Sequence, residues 1–166
     1  MFVLARALTY ATLFVGLVLV LVPARMLEWS GVRAPAALGA AQLAGLALVV
    51  AGGAVALWCV LAFATLGRGT PAPFDPPRRL VVRGPYRFVR NPMYLGAATA
   101  LAGAALYYES LTLLAYVALF ALAAYLFVLG YEEPTLARLF GDDYAAYRAR
   151  VRRWLPSFRA RRTPPS

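Results

Sequence analysis

The stretch RGPYRFVRNPMYLG, residues 83–96, lies between two long apolar runs of the chain. It alternates arginines with aromatic residues and contains two prolines, so it is basic and stiff at once. Its Asn91-Pro92 pair is typical of a helix start, because asparagine can cap free backbone N–H groups and proline fits the first helical turn. We therefore expect a rigid basic segment up to Asn91 and an apolar helix from Pro92 onward.

The composition around this stretch is that of an integral membrane protein. Apolar residues make up 62% of the 166 residues and charged residues only 14%, whereas soluble domains contain about a quarter charged residues. The net charge is +10, and every basic residue is an arginine. A basic excess beside apolar runs is typical of cytoplasmic loops at a membrane, so we expect membrane lipids and no nucleic acid as partners. With one cysteine and no histidine, neither a disulfide framework nor a metal site is expected.

Four apolar runs predict an all-α membrane protein with about four transmembrane helices. The last two are short and separated by Glu109-Ser110, which predicts a helical hairpin. The first run could instead be a signal peptide, with a weak cleavage site at residues 22–24. The runs are residues 4–24, 36–66, 92–108 and 111–131. We divide the chain into two N-terminal helices (1–66), a catalytic-like region (67–156) and a basic tail (157–166).

The distribution of arginine predicts a multi-pass topology. Residues 67–91 contain six arginines and residues 132–166 contain eight, whereas the hairpin turn contains none. By the positive-inside rule, both termini, the 67–91 loop and the tail are expected on the cytoplasmic side. The tail also predicts an amphipathic helix, broken near Gly141, because apolar residues recur at helical spacing. These stripe residues are Leu136, Phe140, Tyr144, Tyr147 and Val151.

The two ends of the predicted hairpin should be neighbours, which brings the helix start at Asn91-Pro92 close to Glu132-Glu133. A helix start attracts an anion such as a carboxylate. An acidic pair at the emerging end of a helix opposes the helix dipole, so it needs a cationic or hydroxyl-bearing ligand, or arginine neighbours. Pro134 should kink the chain there. An amino acid zwitterion attached to a nucleoside would satisfy both ends, although arginines gripping lipid headgroups and simple ion pairs would explain the same charges.

GPYRFVRNPMYLG, followed about forty residues later by EEPTLARLFGDDYAAYRARVRRWLP, resembles the isoprenylcysteine carboxyl methyltransferase family, to which the phospholipid methyltransferases are similar. The resemblance covers roughly residues 78–156 and implies a membrane-embedded site for S-adenosylmethionine. Asn91 stands where the family has histidine, and residues 125–131 lack the arginine that precedes the acidic pair in the prenylcysteine branch. Carried over by motif, the cofactor-binding residues would be Arg78, Arg79, Leu80, Val81, Tyr86, Asn91, Pro92, Met93, Tyr94 and Glu132.

The resemblance implies methyl transfer to a lipid-like or prenylated acceptor that is reached from the bilayer, with Tyr94, Glu132 and Glu133 as positioning residues. O-methylation of an isoprenylcysteine-like carboxylate is favoured, because that nucleophile is already charged and needs no general base. Phospholipid-type N-methylation is the alternative and requires removal of a proton from the amine. A non-catalytic scaffold or cofactor sensor on the same fold, and a different membrane enzyme such as a lipid reductase, remain as further hypotheses.

Overall fold

The computed structural model describes Thr9, residues 15–67 and residues 79–156, and these residues form helices without a strand. In chain order the elements are a π-helical segment (Val15–Leu21), α1 (Val22–Ser30), α2 (Ala40–Ala62), a second π-helical segment (Phe63–Gly67), a 3-10 helix (Gly84–Arg87), α3 (Pro92–Tyr107), α4 (Leu111–Phe127), a third π-helical segment (Val128–Glu132) and α5 (Glu133–Arg150).

Two helices within these described ranges are long and apolar enough to cross a membrane. One is α2, and the other is the continuous helix of 40 residues from Leu111 to Arg150. Since about 20 residues span a bilayer, we treat its apolar part, residues 111–131, as the span and Glu132 onward as lying outside it. The all-helical fold is confirmed for the described residues, which include two candidate membrane-spanning helices. Four spans stay a prediction, because α3 has only 16 residues and most of residues 1–14, Arg6 included, lie outside the described ranges.

Helices α2 and α3 run antiparallel and approach closely at two glycine pairs seven residues apart. A Cβ added at Gly45 would lie 2.7 Å from the carbonyl oxygen of Gly103, and one added at Gly96 would lie 2.8 Å from that of Gly52. Glycine allows this contact between backbones, as is common between membrane helices. Gly53, the residue next to Gly52, takes no part in this contact. Gly53 faces open space, because one residue further along a helix is a rotation of about 100°.

The predicted hairpin is formed by α3 and α4, which contact each other across a turn at residues 108–110. Ser110 caps α4 by accepting a hydrogen bond from the Leu113 N–H at 3.2 Å. The turn is also tied to the start of α2, where Gln42 Nε2 donates to Glu109 Oε1 at 2.9 Å. The two ends of the hairpin therefore lie at the same end of the helical bundle.

The chain turns back on itself at Gly141, which confirms the predicted break in the tail helix. The residues before Pro134 are π-helical, and the Glu133 N–H bonds to the Val128 carbonyl, while a kink at Pro134 stays a prediction. Gly141 has φ 46° and ψ −121° inside α5. The stripe of the tail then packs as predicted: Tyr144, Tyr147 and Val151 form a buried cluster with Leu80, Leu136 and Phe140.

Candidate functional site

The two ends of the hairpin meet through Tyr94 and Glu132, as the sequence predicted. The Tyr94 hydroxyl donates to Glu132 Oε2 at 3.0 Å. Tyr94 lies in the first turn of α3, and Glu132 ends the π-helical segment after α4. Burial and the neighbouring Glu133 raise the pKa of the Glu132 carboxyl, while the tyrosine hydrogen bond acts in the opposite direction. A weakly solvated carboxylate therefore sits at the base of the hairpin.

Glu133, the neighbour of this carboxylate, is held by two arginines. Arg153 binds it with two hydrogen bonds, from Nε to Oε1 at 2.8 Å and from Nη2 to Oε2 at 2.7 Å. Arg90 Nη1 lies 3.0 Å from Oε1. Although burial acts to raise the pKa of Glu133, these guanidinium groups outweigh it and lower the pKa below the usual 4.5. The simple ion-pair explanation of the acidic pair thus applies to Glu133, whereas Glu132 has a hydroxyl partner.

Asn91 lies at the N-cap position of α3, as predicted, but its side chain makes no capping hydrogen bond. Its amide instead donates from Nδ2 to the carbonyl oxygen of Arg153 at 3.2 Å. The expected capping role is therefore wrong, because the asparagine is used to hold a returning segment of chain. The backbone N–H groups of Met93 and Tyr94, in the first turn of α3, are consequently left without a cap from Asn91.

The returning segment, residues 151–156, is named here the C-terminal strap. The backbone N–H of Arg90 donates to the Arg152 carbonyl at 2.9 Å. This bond holds the strap in addition to the bond from the Asn91 side chain. Trp154 places its ring against Tyr94 and Tyr125, with centroid distances of 6.5 Å and 6.4 Å. The strap therefore covers the hairpin base beside the Tyr94–Glu132 pair.

Sequence reasoning missed both Arg153 and Trp154 as residues of this region. The signal available was a basic and aromatic run directly after the amphipathic helix. The same pattern is typical of a tail that binds lipid headgroups, so it could not reveal a strap folded onto the hairpin.

Most of the remaining candidate cofactor residues lie in two apolar clusters beside the Tyr94–Glu132 pair. Arg78 lies outside the described residues, and Arg79 is exposed. Leu80 packs on the stripe of the tail, next to Tyr144. The others line a second apolar cluster at the end of α2, in which buried Val81 and Tyr86 and partly buried Met93 pack around Cys59 and Ala62. Pro92 is buried in the first turn of α3.

A buried hydrogen bond joins the cluster that contains Tyr86 to the cluster that contains Tyr147. The Tyr147 hydroxyl donates to the carbonyl oxygen of Tyr86 at 2.7 Å. Burial raises the pKa of Tyr86 well above its ordinary value, so its hydroxyl stays protonated at neutral pH. The 3-10 helix that carries Tyr86 is therefore clamped between the end of α2 and the tail.

The arrangement can bind a ligand that carries a cationic or hydroxyl donor close to an anionic group. Glu132 can accept hydrogen bonds from the donor, and the uncapped start of α3 favours the anion. Tyr94, Tyr125 and Trp154 supply aromatic surface beside both.

Comparison with known proteins adds one finding. A family model described as phospholipid methyltransferase matches residues 40–143, which is more than half of the chain. The match begins at the first residue of α2 and so reaches further toward the N-terminus than the motifs at residues 78–156 suggested. It ends just after Gly141 and leaves out the strap. No curated protein and no solved structure matches the chain.

Proposed function

The chain belongs to the phospholipid methyltransferase family, and from this premise we propose that it transfers a methyl group from S-adenosylmethionine to a lipid-like acceptor at the Tyr94–Glu132 site. The observation that carries the proposal is the contrast within the acidic pair. Glu133 is neutralised by two arginines, whereas Glu132 has a neutral tyrosine hydroxyl as its partner. A carboxylate kept out of an available arginine network is suited to a cationic or hydroxyl-bearing ligand.

The residues of the site fit S-adenosylmethionine, which carries an ammonium, a carboxylate, ribose hydroxyls and a flat base. Glu132 would accept from the ammonium or the ribose, and the uncapped N–H groups of Met93 and Tyr94 would take the carboxylate. The base would lie on the tyrosine and aliphatic side chains nearby. Asn91 would act through the strap, since its amide already donates to a strap carbonyl.

The cofactor supplies a methyl group on a sulfonium, which is transferred by in-line displacement. The chain's part is to hold the acceptor atom in line and to keep water away, and such positioning supplies much of the rate enhancement. The ion pairs of Glu133 with Arg90 and Arg153 would also restrain Glu132, because the two glutamates are consecutive in one continuous helix. The strap would cover the site at the hairpin base, where it contacts Asn91 and Tyr94, and the hydrogen bond from Tyr147 would hold the 3-10 helix in place.

An amine acceptor of the phospholipid type is favoured by the state of Glu132. A carboxyl group whose pKa is raised by burial is a better proton acceptor for an ammonium than an ordinary surface carboxylate. Attraction between Glu132 and a cationic headgroup acts in the same direction. An isoprenylcysteine-like carboxylate, favoured on the sequence alone, is the second candidate because it needs no base and the chain contains no histidine. It would have to approach with its charge turned away from Glu132.

We also propose the orientation of the chain in the membrane from the same geometry. The end of α2, the start of α3, the end of α4 and the strap lie together at one end of the bundle, and the arginine-rich loop joins them. We place this end on the cytoplasmic side, where the cofactor is found, with both termini on that side. The acceptor's acyl or prenyl chain would enter from the bilayer between the helices.

The first experiment is binding of S-adenosylmethionine to the detergent-purified chain, measured by calorimetry for wild type, Glu132→Gln and Glu28→Gln. Glu28 is an exposed carboxylate in α1 that pairs only locally with Arg25, so it controls for loss of one negative charge. We expect saturable binding that Glu132→Gln weakens at least tenfold and Glu28→Gln leaves unchanged. No binding by a folded wild type, or equal binding by all three, refutes the site.

The acceptor is identified by transfer of labelled methyl groups. The chain is supplied with phosphatidylethanolamine in one reaction and with S-farnesylcysteine in another, each over a range of pH. N-methylation should rise with pH as the amine loses its proton, whereas O-methylation of a carboxylate should be nearly flat across neutral pH. Product from S-farnesylcysteine alone would overturn the preference for an amine.

A further inference from the structure

Three buried side-chain donor atoms have no hydrogen-bond partner among the described residues, and all three lie at the strap and its attachment. Two belong to Arg90, whose charge is nevertheless compensated by Glu133 at 3.0 Å. The third is the indole Nε1 of Trp154. A buried donor without a partner costs about 1–3 kcal/mol, and buried tryptophan N–H groups usually have one. The Trp154 donor therefore requires an explanation that Arg90 does not.

Packing alone does not explain the position of Trp154. Its ring contacts with Tyr94 and Tyr125 would be kept by a phenylalanine, which has no donor to bury. The contacts also connect two different environments. Tyr94 holds Glu132, while Tyr125 belongs to the apolar span of α4 and is 42% exposed. Trp154 thus lies between the carboxylate of the site and the surface that faces lipid.

We propose that Trp154 is a ligand-binding residue of the site, whose indole N–H donates a hydrogen bond to a phosphate, ester or carboxylate oxygen of the lipid acceptor. This inference rests on the proposed function. The acceptor is favoured over the cofactor because Trp154 reaches the bilayer-facing ring of Tyr125, which is the side from which a lipid enters. Trp154 also lies beyond residue 143, outside the part of the chain that the family model matches. The strap therefore contributes to acceptor recognition as well as to closure.

The test observes the indole N–H directly. The full chain is labelled with ¹⁵N-tryptophan in detergent micelles, and the signals of its three tryptophans are assigned with tryptophan-to-phenylalanine variants. S-adenosylhomocysteine, dihexanoyl phosphatidylethanolamine and S-farnesylcysteine are added separately. We expect the Trp154 Hε1 signal to move downfield with an acceptor, as hydrogen bonding requires, and to stay in place with S-adenosylhomocysteine alone. The signal of Trp29, which is 85% exposed in α1, should not move downfield.

Kinetics give a second readout. Trp154→Phe keeps the ring contacts and removes the donor, so it should raise the acceptor KM about three- to tenfold, the usual effect of one hydrogen bond, with kcat and cofactor affinity little changed. Trp29→Phe is the matched control. A Trp154 signal that moves with S-adenosylhomocysteine alone, or does not move with an acceptor that is methylated, overturns the inference while the proposed function stands. A shift with lipid in a chain that transfers no methyl group refutes the proposed function and with it the acceptor role of Trp154, and leaves a lipid contact only.

Discussion

Replacing Gly52 with alanine should separate α2 from α3 and destabilise the protein. The added Cβ would overlap the Gly96 carbonyl oxygen and would lie 2.5 Å from the backbone nitrogen and 3.1 Å from the Cα of Ala100. These atoms belong to the backbone of α3, so no side chain can rotate away, and the two helices must move apart. Gly96 follows Tyr94 by two residues, so the movement also displaces the Tyr94 hydroxyl from Glu132.

The size of the effect follows from two opposing contributions. Alanine is favoured over glycine in a helix by about 1 kcal/mol, whereas overpacking of a close contact costs about 1–3 kcal/mol. Gly53→Ala is the matched control, because it makes the same change one residue away, where the Cβ meets nothing within 4 Å. The control should gain the helix propensity without the clash. The two variants should therefore differ in unfolding free energy by about 1–3 kcal/mol, with Gly52→Ala the less stable.

The assay uses the chain's own thiol. Cys59 is the only cysteine and is 0% exposed, so a thiol-reactive fluorogenic dye reports its exposure on heating. A chain of this size changes its Tm by about 2–4 °C per kcal/mol, which predicts a gap of about 2–12 °C between the variants at one scan rate. Cofactor binding should weaken in Gly52→Ala and not in Gly53→Ala. A Gly52→Ala protein as stable as Gly53→Ala would refute the close packing of α2 and α3.

The remaining predictions concern the hairpin base and the tail. Glu133→Gln should lower the Tm at pH 7, and the Tm difference from wild type should narrow as the pH falls below about 4.5, because the stabilisation from a lowered pKa is complete above the unfolded value and is lost as the folded protein takes up the proton. Glu132→Gln should leave Tm unchanged or raise it at pH 7, because its pKa is raised; a fall equal to that of Glu133→Gln would contradict a functional role for Glu132. Tyr147→Phe should cost about 1–2 kcal/mol by removing the buried bond to Tyr86, which thermal unfolding measures. Gly141→Ala should cost about 1–2 kcal/mol through its positive φ, although the Cβ meets no atom within 4 Å; equal thermal stability would show that the turn at Gly141 is not required.

Patterns that depend only on neighbours along the chain were predictable. The helix start at Pro92, the turn near Glu109 and the stripe from Leu136 to Val151 follow from proline stereochemistry and helical periodicity. The meeting of Tyr94 with Glu132 followed as well, because a hairpin of two helices of similar length returns to its origin. In each case one short-range rule was sufficient.

The sequence could not predict contacts that depend on residues distant in the chain. Asn91 was expected to cap α3, yet its amide bonds to the strap, and nothing near it in sequence indicates that strap. The sequence does not distinguish Gly52 from Gly53. Only the orientation of α2 against α3 decides that Gly52 is the one that contacts the backbone of α3.

The sequence by itself determined that this is a helical membrane protein with a basic segment and an acidic pair at the ends of one hairpin, because hydropathy and local stereochemistry act along the chain. Only the tertiary structure decided which glutamate is paired with arginines and which with a tyrosine hydroxyl. Arg90 and Arg153 are far apart in sequence, and the turn at Gly141 brings the strap back so that both reach Glu133. Ion pairing depends on distance in space, so the difference between the partners of Glu132 and Glu133 could arise only once the chain had folded.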